Sequence, residues 1–152
     1  HGWDESILIK QIVQILDANS SIQWTLTSSR RTPPSTTAQL EKLSKEQLKV
    51  IPVEATDKDW LPRELSISAH VWVTEDSVSM VYEALSSGAK VGLLPTPRKS
   101  TRSRVVCGLE SLNQGGYLMN YRENQADLAT FKNPPPLNEA ERVAKIVAER
   151  FL

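Results

Sequence analysis

Short apolar runs of strand type alternate with longer stretches of helical periodicity along most of this sequence, joined by connections of a few residues. The apolar runs fall at 22–27, 50–53, 70–74, 91–94 and 117–119. Between them lie helical stripes: Leu8, Ile12, Ile15 and Leu16 within 4–17; a segment from Pro33 to about Leu43; Val78, Val81, Tyr82 and Leu85 within 76–87; and Val105, Val106, Leu109 and Leu112 within 100–113. Strands that alternate with helices over short links pair in parallel and carry the helices on their faces. The expected fold class is therefore α/β: a Rossmann-like parallel sheet of about five strands flanked by helices.

Punctuation supports this reading. Thr32 offers a helix cap and Pro33 suits a first turn. Gly88 is a natural stop for the helix before it. One or two helical turns are expected within 59–66 and a weaker helix within 123–129. The Pro134-Pro135-Pro136 run is an extended spacer before a last helix at 138–151 with a stripe at Ala140, Val143, Ala144, Val147 and Phe151.

Composition removes several classes of function. Eighteen basic side chains balance eighteen acidic ones, so no general attraction to nucleic acid or an anionic membrane is expected. The single cysteine, Cys107, rules out an internal disulfide framework. One cysteine and two histidines argue against a transition-metal site, and no metal is expected. Cys107 is expected to pack on a helix, and His70 to pack or hydrogen-bond at the start of a core strand. No apolar run approaches the roughly 20 residues of a membrane span. A soluble, cytoplasmic protein is expected. There is neither a G-x-G-x-x-G nor a Walker-type loop.

Ligands of open α/β sheets bind beyond the carboxyl ends of the strands, where three loops fall. Ser28, Ser29, Arg30, Arg31 and Thr32 bring hydroxyls and two guanidiniums to a helix N-terminus, a pattern suited to phosphate or carboxylate. It equally describes a solvated turn with a cap. Glu75, Asp76 and Ser77 follow the next strand directly. Asp76, Ser79 and Glu83 then share one polar helix face, opposite Val78, Val81 and Leu85. The alternative is that Asp76 or Ser77 caps the helix and Glu83 is an exposed charge. The third loop, Pro95–Thr101, is followed by Arg102 and Arg104; its Arg98 and Lys99 offer a further anion contact or a solvated basic segment.

These residues carry a resemblance. Thr27-Ser28-Ser29-Arg30-Arg31-Thr32-Pro33, followed by Thr74-Glu75-Asp76-Ser77-Val78-Ser79-Met80-Val81-Tyr82-Glu83-Ala84, resembles the mitochondrial fission protein family, which is largely bacterial and includes a plant fission factor. Gly88, Val91, Arg98, Gly116 and Pro136-Leu137-Asn138-Glu139 fit the same pattern. That family is in turn similar to the GT-B glycosyltransferases, whose C-terminal Rossmann-like domain holds a nucleotide-sugar donor. The seven residues between Glu75 and Glu83 match the E-x7-E spacing of some GT-B enzymes. The resemblance implies Glu83 at the donor ribose, Glu75 near the sugar, Ser77 and Ser79 near the diphosphate, and Arg30 as a phosphate contact.

What the resemblance implies is a nucleotide-sugar-binding domain, the C-terminal half of a longer two-domain protein, with no cofactor of its own and no catalytic residue in this half. Its partners would be the nucleotide-sugar and the upstream domain; a homo-oligomer is left open. Catalysis by a GT-B enzyme needs an acceptor domain, so 1–152 alone is expected to be inactive. A short-chain epimerase is not expected, because no tyrosine is followed four places later by lysine. The alternatives are a non-catalytic interaction module on the same fold and a regulatory small-molecule binder.

One expectation concerns the sheet itself. In a Rossmann order 3-2-1-4-5-6 the first strand is central. This chain opens on a helix-like segment, so strands 22–27 and 70–74 are expected to lie side by side or one strand's width apart.

Overall fold

A computed structural model describes residues 4–43, 46–96 and 104–121, with side-chain surroundings of 104–107 left aside. Among these, five helices and five strands follow one another: α1 (Glu5–Ala18), β1 (Trp24–Thr27), α2 (Pro34–Glu41), β2 (Leu48–Ile51), α3 (Trp60–Ile67), β3 (His70–Thr74), α4 (Val78–Ser86), β4 (Lys90–Leu94), α5 (Arg104–Gln114) and β5 (Leu118–Asn120). Every pairing is parallel. The α/β class with helices flanking parallel strands is thus the observed one.

The strands divide between two sheets, β1-β2 and β3-β4-β5. β1 and β3 are therefore not hydrogen-bonded neighbours, which excludes the side-by-side arrangement.

Local chemistry explains several element ends. Asp4 caps α1, its Oδ1 accepting the Ile7 N–H at 3.0 Å. At the other end the Asn19 Nδ2 donates to the Ile15 carbonyl at 2.8 Å. Gly88 ends α4 in the left-handed region at φ +85°, which only glycine adopts without steric cost.

Several boundaries differ from expectation. β2 lies at 48–51 because Pro52 has no N–H for the ladder, and 53–55 turn into a short 3-10 segment. α2 starts at Pro34, with Pro33 in the capping position. Thr32 does not cap it; its Oγ1 accepts the Ser29 N–H at 2.9 Å instead. α4 begins at Val78, so Asp76 precedes the helix, and the Ser77 hydroxyl makes no capping bond. Arg98, the expected helices at 123–129 and 138–151 and the proline spacer lie outside the described residues.

β4 organises the core because it is buried on both faces. On one side Val91 and Leu93 pack with Val81, Ala84 and Leu85 of α4, Leu109 and Leu112 of α5, and Val73 and Leu118 from the flanking strands. On the other side Leu94 packs with Leu8 and Ile15 of α1, joined by Trp24, Trp72 and Tyr121. Trp72 stands opposite Gly92 in register. A Cβ at position 92 would run into the Trp72 ring, so the glycine is what lets the indole lie across the neighbouring strand. Tyr121 meets the same indole edge-on at 6.3 Å and 75°.

Helix α1 fixes the direction of the two sheets. Near its middle, the Gln11 Nε2 donates to the Pro95 carbonyl just after β4. Near its end, the Leu16 carbonyl accepts from the Gln47 Nε2 just before β2. The helix thus runs antiparallel to strands of both sheets, and their carboxyl ends lie on one side.

Candidate functional site

The carboxyl ends of β1, β3 and β4 bring the candidate residues to that side. After β1 the chain makes a tight turn closed by its own hydroxyls. The Thr32 N–H donates to the Ser29 carbonyl at 3.1 Å, and the Arg31 N–H donates to Ser29 Oγ at 3.2 Å. The Ser28 hydroxyl accepts the Val53 N–H at 3.1 Å, tying the turn to the segment after β2. Ser28, Ser29 and Thr32 therefore shape the loop.

Arg30 and Arg31 are both exposed. Arg30 lines a cavity of about 340 Å³ together with Ser29, Thr32, Thr37, Glu41 and Glu54. A guanidinium beside two carboxylates and several hydroxyls suits a ligand that carries both an anionic group and hydroxyls.

After β3, Glu75 turns inward and is 2% exposed. Its N–H donates to the Leu94 carbonyl at 3.0 Å, extending the β3–β4 ladder by one bond. Its Oε1 accepts the Thr96 N–H at 3.2 Å. A carboxylate bonded this way clamps the loop after β3 to the loop after β4. Thr96 is 8% exposed and Gln11 is 6% exposed. The Thr96 hydroxyl, the Gln11 Oε1 and the Oδ1 of half-buried Asp76 are all shielded from solvent without a hydrogen-bond partner among the described residues. Buried polar atoms are rarely left so, and leaving one unmade costs about 1–3 kcal/mol.

The expected site is thus divided. Glu75, Asp76 and Ser77 stand at the carboxyl end of β3. Ser79 and Glu83 are exposed on α4 and share no hydrogen bond with the Glu75–Thr96 pair. Thr96 was not singled out from sequence. Neither was Gln11, although its signal was present: a glutamine three residues after Leu8 and four before Ile15 sits on the stripe that packs inward. Among the described residues, no group of three or more His, Cys, Asp or Glu is placed to hold a metal ion. No described helix is long and apolar enough to cross a membrane.

Two titrating groups are perturbed. Burial, and then the Lys90 ammonium on the next strand, hold the His70 imidazole below its ordinary value of 6.5. Burial raises the Tyr82 phenol above its ordinary value of 10.0. Neither residue lies at the carboxyl ends of the strands.

The family model described as Mitochondrial fission ELM1 matches residues 1–151, and the chain belongs to that family. Neither a curated protein nor a solved structure matches it.

Proposed function

From this family membership and the site geometry, we propose that the chain is a nucleotide-sugar-binding domain related to the donor half of GT-B glycosyltransferases. The observation that carries the reading is the group formed by Gln11, Asp76 and Thr96 around buried Glu75. Three of its atoms, the Gln11 Oε1, the Asp76 Oδ1 and the Thr96 Oγ1, have no hydrogen-bond partner among the described residues, at the position where α/β sheets take their ligands. Arg30 and Arg31 add exposed cationic donors beyond β1. On this reading Arg30 takes the diphosphate, the carboxylates accept sugar or ribose hydroxyls, and Glu83 reaches the ligand from the exposed face of α4. Transfer chemistry would need a second domain for the acceptor, so this half binds and orients the donor without supplying a catalytic residue.

The test is calorimetric titration of the full-length protein with UDP, GDP and their sugars. Binding by at least one of them is expected. Arg30→Ala, Asp76→Ala and Glu83→Ala should each weaken it by about tenfold or more, the loss of one charge-assisted hydrogen bond. No heat with any nucleotide, or affinity unchanged in all three variants, overturns the reading and leaves a non-catalytic interaction module on the same fold.

A further inference from the structure

Helix α1 carries a polar residue where its pattern asks for an apolar one. Leu8 and Ile15 face inward and pack with Leu94 of β4. Gln11 lies on the same stripe and is 6% exposed. A leucine or methionine there would pack without burying a polar group. Gln11 gains one long bond in return, from its Nε2 to the Pro95 carbonyl at 3.4 Å. That bond fixes which way round the amide sits, since the reverse would set two carbonyl oxygens against each other. The Oε1 is thus an acceptor, buried and without a hydrogen-bond partner among the described residues.

The chain ties Gln11 to two further oxygens in the same condition. Thr96 follows Pro95 and is 8% exposed. Its N–H donates to the Glu75 Oε1 at 3.2 Å, and Asp76 follows Glu75. The Thr96 Oγ1 and the Asp76 Oδ1 are likewise shielded and unbonded among the described residues. The Thr96 backbone already holds the loop to Glu75, so the hydroxyl is left over from that task.

The polarity of these atoms says what completes them. Amide and carboxylate oxygens only accept, and a hydroxyl can accept as well as donate. The missing group therefore brings hydrogen-bond donors. It also lacks negative charge, because Asp76 and the 2% exposed Glu75 bring two carboxylates to this group, and like charges repel strongly where water is excluded. A phosphate fails both conditions, and the guanidiniums of Arg30 and Arg31 stand on another loop, beyond β1. Hydroxyls of an uncharged sugar meet both.

We infer that Gln11 and Thr96 are specificity-determining residues: their side-chain oxygens accept hydroxyls of the sugar of a nucleotide-sugar, beside Asp76, and select a neutral sugar over an acidic one. The inference rests on the reading of the chain as a nucleotide-sugar-binding domain. It divides the ligand by charge, with the diphosphate at Arg30 and the hydroxyls at the oxygens around Glu75. It also explains why buried oxygens are left open in the chain, since a local rule of packing is broken where a ligand restores it.

Calorimetric titration of the full-length protein with matched ligands tests it. The two series are UDP, UDP-glucose and UDP-glucuronate, and GDP, GDP-mannose and GDP-mannuronate. In at least one series the neutral sugar should bind about tenfold or more tighter than the nucleotide alone, and tighter than the uronate. Gln11→Met and Thr96→Val should each weaken the neutral nucleotide-sugar by about tenfold, while affinity for the nucleotide alone stays as it is. A general loss of fold would weaken both ligands alike, so the ratio is the readout. An unchanged ratio in either variant overturns the inference and leaves that oxygen to ordered water only. So does a neutral sugar that binds no tighter than its nucleotide or its uronate. In those outcomes nucleotides still bind and the donor-domain reading stands. Absence of binding by every ligand overturns that reading, and this inference with it.

Discussion

The two sheets differ in how they are buried. β4 is covered from Val91 to Leu94, while β1 alternates half-buried and exposed residues along its whole length. The larger sheet carries apolar helices on both faces and can be stabilised by its own core. The smaller one depends on neighbours. α1 reaches it through the Gln47 side chain, and the Gln39 amide of α2 donates to Glu5 of α1. Parallel pairing of two strands adds little by itself, so burial decides which sheet is robust.

The largest expected effect tests that contrast directly. Leu93→Ala removes a side chain that is 3% exposed within the main cluster. It should cost about 2–5 kcal/mol, as large-to-small changes in cores do. Leu26→Ala in β1 removes a half-buried side chain and should cost about 1 kcal/mol. Urea unfolding of both variants measures the difference. Equal costs would break the comparison and show β1 to be as well packed as β4.

A smaller effect sharpens it within the larger sheet. Gly92→Ala drives a methyl group into the Trp72 ring. The expected cost is about 1–3 kcal/mol, the usual range for overpacking. Replacing Trp72 by leucine in the same chain should relieve part of it, giving a coupling of about 1 kcal/mol in a double-mutant cycle. Additive effects would mean that the indole moves aside and that this face of β3 is looser than its burial indicates.

The course of the chain was legible in the sequence where the physics is local. β3 at 70–74 and the glycine stop at Gly88 follow from apolar runs and turn chemistry. β2 ends two residues before the apolar run of Val50, Ile51 and Val53 does, because Pro52 ends the ladder. The division into two sheets was not legible, since pairing is a contact between distant segments. The same limit applies to the site. Glu75 and Asp76 were visible as charges after a strand. Thr96 joins them only through a bond across 21 residues of sequence, and Gln11 only through the fold.

The dependence on pH separates the sheets in another way. His70 begins β3, in register with Lys90. Its imidazole titrates below 6.5 in the folded protein. As pH falls through 6.5, the unfolded chain takes up a proton that the native chain does not. Stability is therefore full above 6.5, falls between that value and the lower native one, and levels off beneath it. His70→Gln should flatten this slope in melting temperatures measured from pH 7 to 5. An unchanged slope would place the responsible group elsewhere, outside the edge of the larger sheet.

The smallest effect concerns a defect inside the better-packed half. Tyr82 of α4 packs against the main cluster, yet its hydroxyl is shielded without a hydrogen-bond partner among the described residues. Burying a hydroxyl unpaired costs free energy, and a phenyl ring of the same shape avoids that cost. Tyr82→Phe should therefore leave stability unchanged or raise it by up to about 1 kcal/mol at neutral pH. The raised phenol adds a second signature. Above pH 10.0 the unfolded tyrosine ionises before the native one, so stability declines as pH rises further. The phenylalanine variant should lose that part of the alkaline decline. A loss of stability at neutral pH would instead mean that the hydroxyl is engaged in the folded protein. The larger sheet would then owe part of its robustness to a polar contact in addition to its apolar core.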